Sequence, residues 1–166
     1  NTREVSKMAD VEFIDNHIQV NRAIDDAVGA FLLEAAAELV SATARNTPVD
    51  QGQLKGSWAA NVDESAGEAV VGSPLENAIW TELGTGEWAL KRNGRVGAWY
   101  VPVEKVTGRK KPTFNGKVVI VYGKDGQKFY KTNGKKPVRM LQTAFDQNKG
   151  KIIRRAEQIF KARFDD

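Results

Sequence analysis

The chain has 166 residues, 41% of them hydrophobic and 28% charged, with no cysteine and a formal net charge of +4. This is the composition of an ordinary globular protein long enough to bury a core, and it excludes a disulfide framework and a thiolate metal site. No uninterrupted run of eighteen apolar residues occurs, so neither a transmembrane helix nor a membrane partner is expected, and no secretory leader is expected at the start.

The small net charge conceals a polarity. Residues 1–89 carry 5 Lys/Arg against 15 Asp/Glu, a net −10, and residues 90–166 carry 20 against 6, a net +14. A basic half of this kind faces nucleic acid, meets the acidic half of another copy, or is one solvated face of the fold.

Asn1–Lys7 precede "MADVEF" and are set aside as a non-native remnant or an upstream extension; residues 8–166 are expected to form one α+β domain. Val11 to Val20 alternates locally and predicts one or two short strands. From Ile24 to Val40 apolar residues recur every three or four positions, the pattern of an amphipathic helix. Asn21 is its expected N-cap, Asp25 and Asp26 lie near the positive end of its dipole, and it should stop before Thr47-Pro48. Trp58, Ala60 and Val62 alternate with polar neighbours and predict a strand, paired across "DESAG" with Ala69–Val71.

Ser73-Pro74-Leu75-Glu76 reads as a capping box with proline at the first helical position, so a short helix is expected from Pro74 to Leu83. Gly84-Thr85-Gly86-Glu87-Trp88-Ala89 then fits the dinucleotide fingerprint G-x-G-x-x-G/A, with Glu104 twenty residues on from Gly84. In a nucleotide site the glycines follow a strand and open a helix. Here they close a helix, and Gly84 reads as its left-handed C-cap.

From about residue 88 to 136 a basic, β-rich insertion is expected. Trp99-Tyr100-Val101 forms a strand that ends, or lies at an edge, at Pro102. "KVVIVYGKDGQKFYK" forms a hairpin turning at Asp125-Gly126. A last helix starts near Val138, with Leu141 and Phe145 on one face, then Ile152, Ala156 and Ile159, and a kink or break at Gln147–Gly150. The fold class is therefore α+β: antiparallel sheet packed by a long N-terminal and a C-terminal helix, with a basic β-hairpin excursion.

No catalytic constellation emerges. His17 is the only histidine, and its flanks predict a strand and not a cluster. Asp25-Asp26 and Asp63-Glu64 are sequence neighbours at a helix start and in a turn, unsuited to general acid–base work. No catalytic residue, cofactor or metal is expected. Lys91, Arg92, Arg95, Arg109, Lys110, Lys111, Lys135, Lys136 and Arg139 mark the turns of the β excursion. If those turns converge they form a basic rim for phosphate or for an acidic protein surface. Aromatic residues among them, Trp88, Trp99, Tyr100, Phe129 and Tyr130, suit a stacking platform or half-buried packing.

Three segments in order resemble a known family. "TPVDQGQLKGSW" at Thr47–Trp58 is similar to its A/T-P-V-D-T-G-x-L-x-x-S element, and "NAIWTELGTG" at Asn77–Gly86 to its Y-A-x-x-V-E-x-G-T element. "DGQKFYKTNGKKPVRMLQTAF" at Asp125–Phe145 is similar to the segment that precedes its last helix. The family is the siphophage tail-component or neck family, named for the tenth gene product of a lambdoid coliphage. Gln51, Asn77 and Arg139-Met140 depart from its usual residues, whereas Pro48, Asp50, Gly52, Glu82, Gly84, Thr85 and Pro137 match and read as fold-defining turn and cap residues. The resemblance implies a structural virion protein of a long-tailed phage, assembled in the host cytoplasm at or near the head–tail joint. Its implied partners are other neck or tail proteins, further copies of itself in a ring, and phage DNA in passing. The alternative is a DNA-binding module that uses the basic half.

Overall fold

The computed structural model describes residues 17–50 and 52–164. Helix α1 runs His17–Asn46. Helix-favouring alanine and leucine dominate it, and it ends as expected where Thr47 precedes Pro48. It begins earlier than expected. Residues 11–16 of the predicted strand lie outside the described residues, and His17–Val20 are helical. Four alternating residues are too few to fix a period, and extending an existing helix costs less than ordering a strand with no partner. Asn21 is consequently inside α1 and not its cap, and Asp25 and Asp26 are exposed two turns in.

The hairpin forms as expected, with β1 (Ala59–Asp63) antiparallel to β2 (Glu68–Gly72) in the register Ala59↔Gly72 to Asp63↔Glu68. It lies along α1. Its base is tied to the helix end by Trp58, whose indole Nε1 donates to Thr47 Oγ1 at 2.8 Å. Its tip reaches back to Gly29, where an added Cβ would touch the Glu64 carboxyl.

Helix α2 runs Glu76–Leu83, two residues shorter at its start than expected. The capping box does not form, because Leu75 is extended and Ser73 uses its hydroxyl elsewhere. Ser73 Oγ accepts from the Leu75 amide at 3.2 Å and shares a hydrogen with Ser57 Oγ at 2.7 Å. Gly84 does follow α2 with positive φ, but its ψ of 173° makes it an extended turn and not a left-handed helical cap.

The excursion is a separate three-stranded antiparallel sheet in the order β3-β5-β4, with β3 Trp99–Pro102, β4 Val119–Tyr122 and β5 Lys128–Thr132. Pro102 does lie on an edge strand. The β4–β5 connection differs from the two-residue turn expected. Gly123 N donates to Gln127 O and Gly126 N to Gly123 O, and only Gly126 of the tip has positive φ. That is the three-residue loop with a bulge glycine, since the tighter turn needs positive φ at Asp125 as well.

Helix α3 runs Met140–Phe164 without a break at Gln147–Gly150, where Asn148 Nδ2 donates back to Ala144 O at 2.8 Å. It lies antiparallel to α1: Asn46 reaches Met140, Glu38 pairs with Lys151, and Glu34 pairs with Arg155. The core sits where the C-terminal end of α1, the hairpin base, α2 and the start of α3 meet, on Trp58, Ala78 and Met140. Met140 and Ala144 are wholly buried while Phe145 is 47% exposed, so the inward face of α3 is one residue round from the Leu141–Phe145 stripe expected. From Ile24 to Asn46, α1 is long and apolar enough by length and composition to cross a membrane. In this fold Ala27, Ala36, Ala42 and Thr43 are buried against its neighbours.

Candidate functional site

Two segments far apart in sequence cross at backbone contact: the turn after α2 and the stretch between β5 and α3. Thr85 N donates to Lys135 O at 2.9 Å, Glu87 N to Asn133 O at 3.1 Å, and Lys135 N to Thr85 Oγ1 at 3.0 Å. Glycine is required for this approach. A Cβ on Gly84 would stand 2.9 Å from Lys135 O and from Pro137, and one on Gly134 would overlap Thr85 O. The glycines of the fingerprint thus serve a backbone clasp, and Glu104 bonds Gln127 at the hairpin instead of approaching them.

Two side chains lock the clasp. Asn133 is 1% exposed; its Nδ2 donates to Glu87 Oε2 at 2.8 Å and to Asn115 Oδ1 at 3.0 Å, and its Oδ1 accepts from the Asn115 amide. Glu82 reaches from α2 to the start of α3, where Oε2 accepts from the Leu141 amide and Oε1 from the Gln142 amide, both at 3.0 Å. It is therefore the N-terminal cap of a helix that begins nearly sixty residues later in the chain. Sequence inspection missed this role, because the cap is borrowed from another element. Asp50 acts similarly at the other side, accepting from the Arg109 amide at 2.9 Å.

Beside the clasp lies a cleft of about 730 Å³ lined by Trp88, Trp99, Val101 and the lysines Lys110, Lys111, Lys135 and Lys136. Four of the nine basic positions expected to form a rim therefore converge. The Lys136 ammonium lies 4.8 Å from the centre of the Trp88 ring, which holds it over the aromatic face. Lys135 Nζ donates to Thr81 Oγ1 at 3.0 Å. Loss of water, then repulsion from Lys110, holds the Lys135 ammonium below the usual lysine value, with Asp50 opposing.

The other five basic residues are elsewhere. Arg95 lies over Trp99 at 5.5 Å, but with Lys91 it borders a second hollow of about 460 Å³ under Ile79, Trp80 and Leu90. Arg92 and Arg139 adopt positive φ in exposed turns, and Arg109 is exposed with its backbone tied to Asp50. Of the residues read from the sequence as fold-defining, Glu82, Gly84, Thr85 and Pro137 meet at the clasp, Asp50 is one link further out, Pro48 follows the end of α1, and Gly52 holds a φ of 81°. Of the aromatic residues, Tyr130 is buried and Tyr100 is 56% exposed on the sheet, outside the lysine cleft.

His17 opens α1 instead of lying in a strand. Among the described residues no group of three or more His, Asp or Glu side chains is placed to hold a metal ion. Asp63, expected in a turn, uses its carboxylate there: Oδ1 accepts from Ser65 Oγ at 2.6 Å and from the Ala66 amide at 3.0 Å. These bonds, the serine hydroxyl foremost, hold its carboxyl below the usual aspartate value.

Residues 12–84 match the family model described as "Bacteriophage HK97-gp10, putative tail-component". No curated protein and no solved structure matches the chain.

Proposed function

We propose, from the match of residues 12–84 to the phage tail-component family model, that the protein joins heads to tails or completes the tail. In this reading it acts by docking in a ring with other neck and tail proteins, sits in the neck or tail of the virion after assembly in the host cytoplasm, and performs no catalysis. The observation that carries it is the clasp. Glu82, Gly84, Thr85 and Pro137, the positions similar to the family's motifs, are used up in binding α2 to the start of α3. They build a rigid frame, and what the frame displays is a surface for partners: the lysine cleft and the apolar hollow under Trp80. Electron microscopy of particles made with this gene disrupted tests the proposal. Filled heads beside free or missing tails are expected; intact, infectious virions refute it.

A second reading is favoured by the lysines and tryptophans of the cleft, which suit contact with the phosphates and bases of DNA. It requires affinity for random duplex DNA that falls steeply with rising salt. A gel shift absent at physiological salt removes it.

A further inference from the structure

The tip of the β1–β2 hairpin is an acidic knob. Asp63, Glu64 and Glu68 are exposed around a turn of three small residues, Ser65-Ala66-Gly67, and none of the three carboxylates has a Lys or Arg within ion-pair distance among the described residues. The cleft is its counterpart in charge, with four lysines that likewise meet no carboxylate at that distance among the described residues. The two are kept apart within one copy. Glu64 lies over Gly29, whereas the cleft adjoins Asp50, beyond the other end of α1. From Gly29 to Asn46 that helix spans roughly 25 Å, at about 1.5 Å per residue. A rigid hairpin pinned along α1 by Trp58 does not swing across this distance.

We propose that the Asp63–Glu68 hairpin tip of one copy docks into the lysine cleft of the next. The inference rests on the ring-docking reading above and gives that ring its contact. A knob at one end and a socket at the other form a heterologous interface, which closes into a ring when the rotation per subunit allows and otherwise propagates. The small tip residues let the turn enter a cleft of about 730 Å³, and Glu64 and Glu68, flanking it, face the lysines. Most of the attraction comes from exposed charges, so it weakens with salt. A contact of this size belongs to the weak class and forms at high local concentration.

The test uses purified full-length protein at high concentration and low salt, treated with a zero-length carbodiimide that joins carboxylates to amines. The expected product is a dimer whose cross-linked peptides join Glu64 or Glu68 to Lys110, Lys111, Lys135 or Lys136, and it is lost as salt rises. Because the groups are at opposite ends of one copy, such a link is between copies. Glu64→Lys with Glu68→Lys makes both ends basic, and Lys110→Glu with Lys135→Glu cancels the positive charge of the cleft while the tip stays acidic; each variant alone loses the dimer. Mixed, the acidic tip of the second variant meets the unaltered lysine cleft of the first, and the dimer returns. Failure of the mixture to restore it, with both variants folded by circular dichroism, overturns the proposal. So does a wild-type protein that gives no such dimer, or one in which duplex DNA alone occupies the cleft. The interface is read without phage particles, so its failure leaves the head–tail proposal to be judged by the gene disruption.

Discussion

Glu82 should be worth more to stability than its half-exposed position suggests. Its two oxygens satisfy the Leu141 and Gln142 amides at 3.0 Å each, groups that α3 itself leaves unpaired. Losing an ordinary N-cap costs about 0.5–2 kcal/mol, and removing a negative charge from the positive end of a helix dipole adds about 0.3–1 kcal/mol. The Glu82→Ala variant is therefore expected to lose about 2 kcal/mol. At about 2–4 °C per kcal/mol for a chain of this size, Tm falls by about 4–8 °C. Glu82→Gln keeps one carbonyl acceptor without the charge and should lose about half as much. Urea unfolding followed by circular dichroism measures both, and amide hydrogen exchange adds a local readout, with faster exchange at Leu141 and Gln142 in the alanine variant. A loss under about 0.5 kcal/mol, with those two amides unchanged, would refute the reasoning.

Other expectations follow from particular contacts. Gly86→Ala and Gly126→Ala both place a side chain at positive φ, at a cost of about 1–2 kcal/mol. At Gly86 the new Cβ also overlaps Asn133 O and meets the Trp99 ring at 2.6 Å, whereas Gly126 faces open space. Gly86→Ala should lose about 1–3 kcal/mol more by urea unfolding, and equal losses would contradict the clasp. Ser65→Ala removes the main cause of the low Asp63 pKa, which should then rise toward the ordinary aspartate value in a carboxyl NMR titration. The folded-state pKa is the lower one, so Asp63 stabilises the fold above its unfolded-state pKa and that contribution is lost as pH falls through the folded value. Lys135 has a lowered pKa of the opposite chemical kind: its charged form is the one the fold disfavours, so its contribution to stability improves as pH rises from the folded-state value to the unfolded one. In pH-dependent acylation Lys135 should react at lower pH than the exposed lysines, and Lys110→Gln should move it part of the way back. Reaction in step with the exposed lysines would remove that assignment.

The legible parts of the fold were those with a long or redundant signal. The end of α1 before Thr47-Pro48, the β1–β2 pairing and the β4–β5 hairpin rest on proline sterics and repeated alternation, which act locally. Where the structure departed at α2 and α3, a distant partner decided. Ser73 gives its hydroxyl to Ser57 and not to a capping box, and the inward face of α3 is set by Met140 closing on Trp58 and Ala78. The basic rim was legible as composition. Which four of nine residues meet is fixed by the crossing of two loops fifty positions apart, and no local pattern records that.

That crossing also sets what can vary in this architecture. The chain leaves the helical frame at Thr85 and returns at Lys135, and the two points are hydrogen-bonded to each other at 2.9 Å. Everything between is, for the frame, a detour whose start and finish coincide. Lengthening a loop such as Lys124–Gly126 there, exposed at the hairpin tip, alters loop entropy only slowly with length and leaves the spacing of α1, α2 and α3 unchanged. The matched span of residues 12–84 is in a different position. Its Trp58 and Ala78 are covered by Met140, and its Glu82 carboxylate is shaped to hold α3, so cutting the chain after residue 84 would expose a core and leave a cap with no helix. The part that matches the family model is thus not a folding unit, while the excursion is the part whose length the frame leaves open.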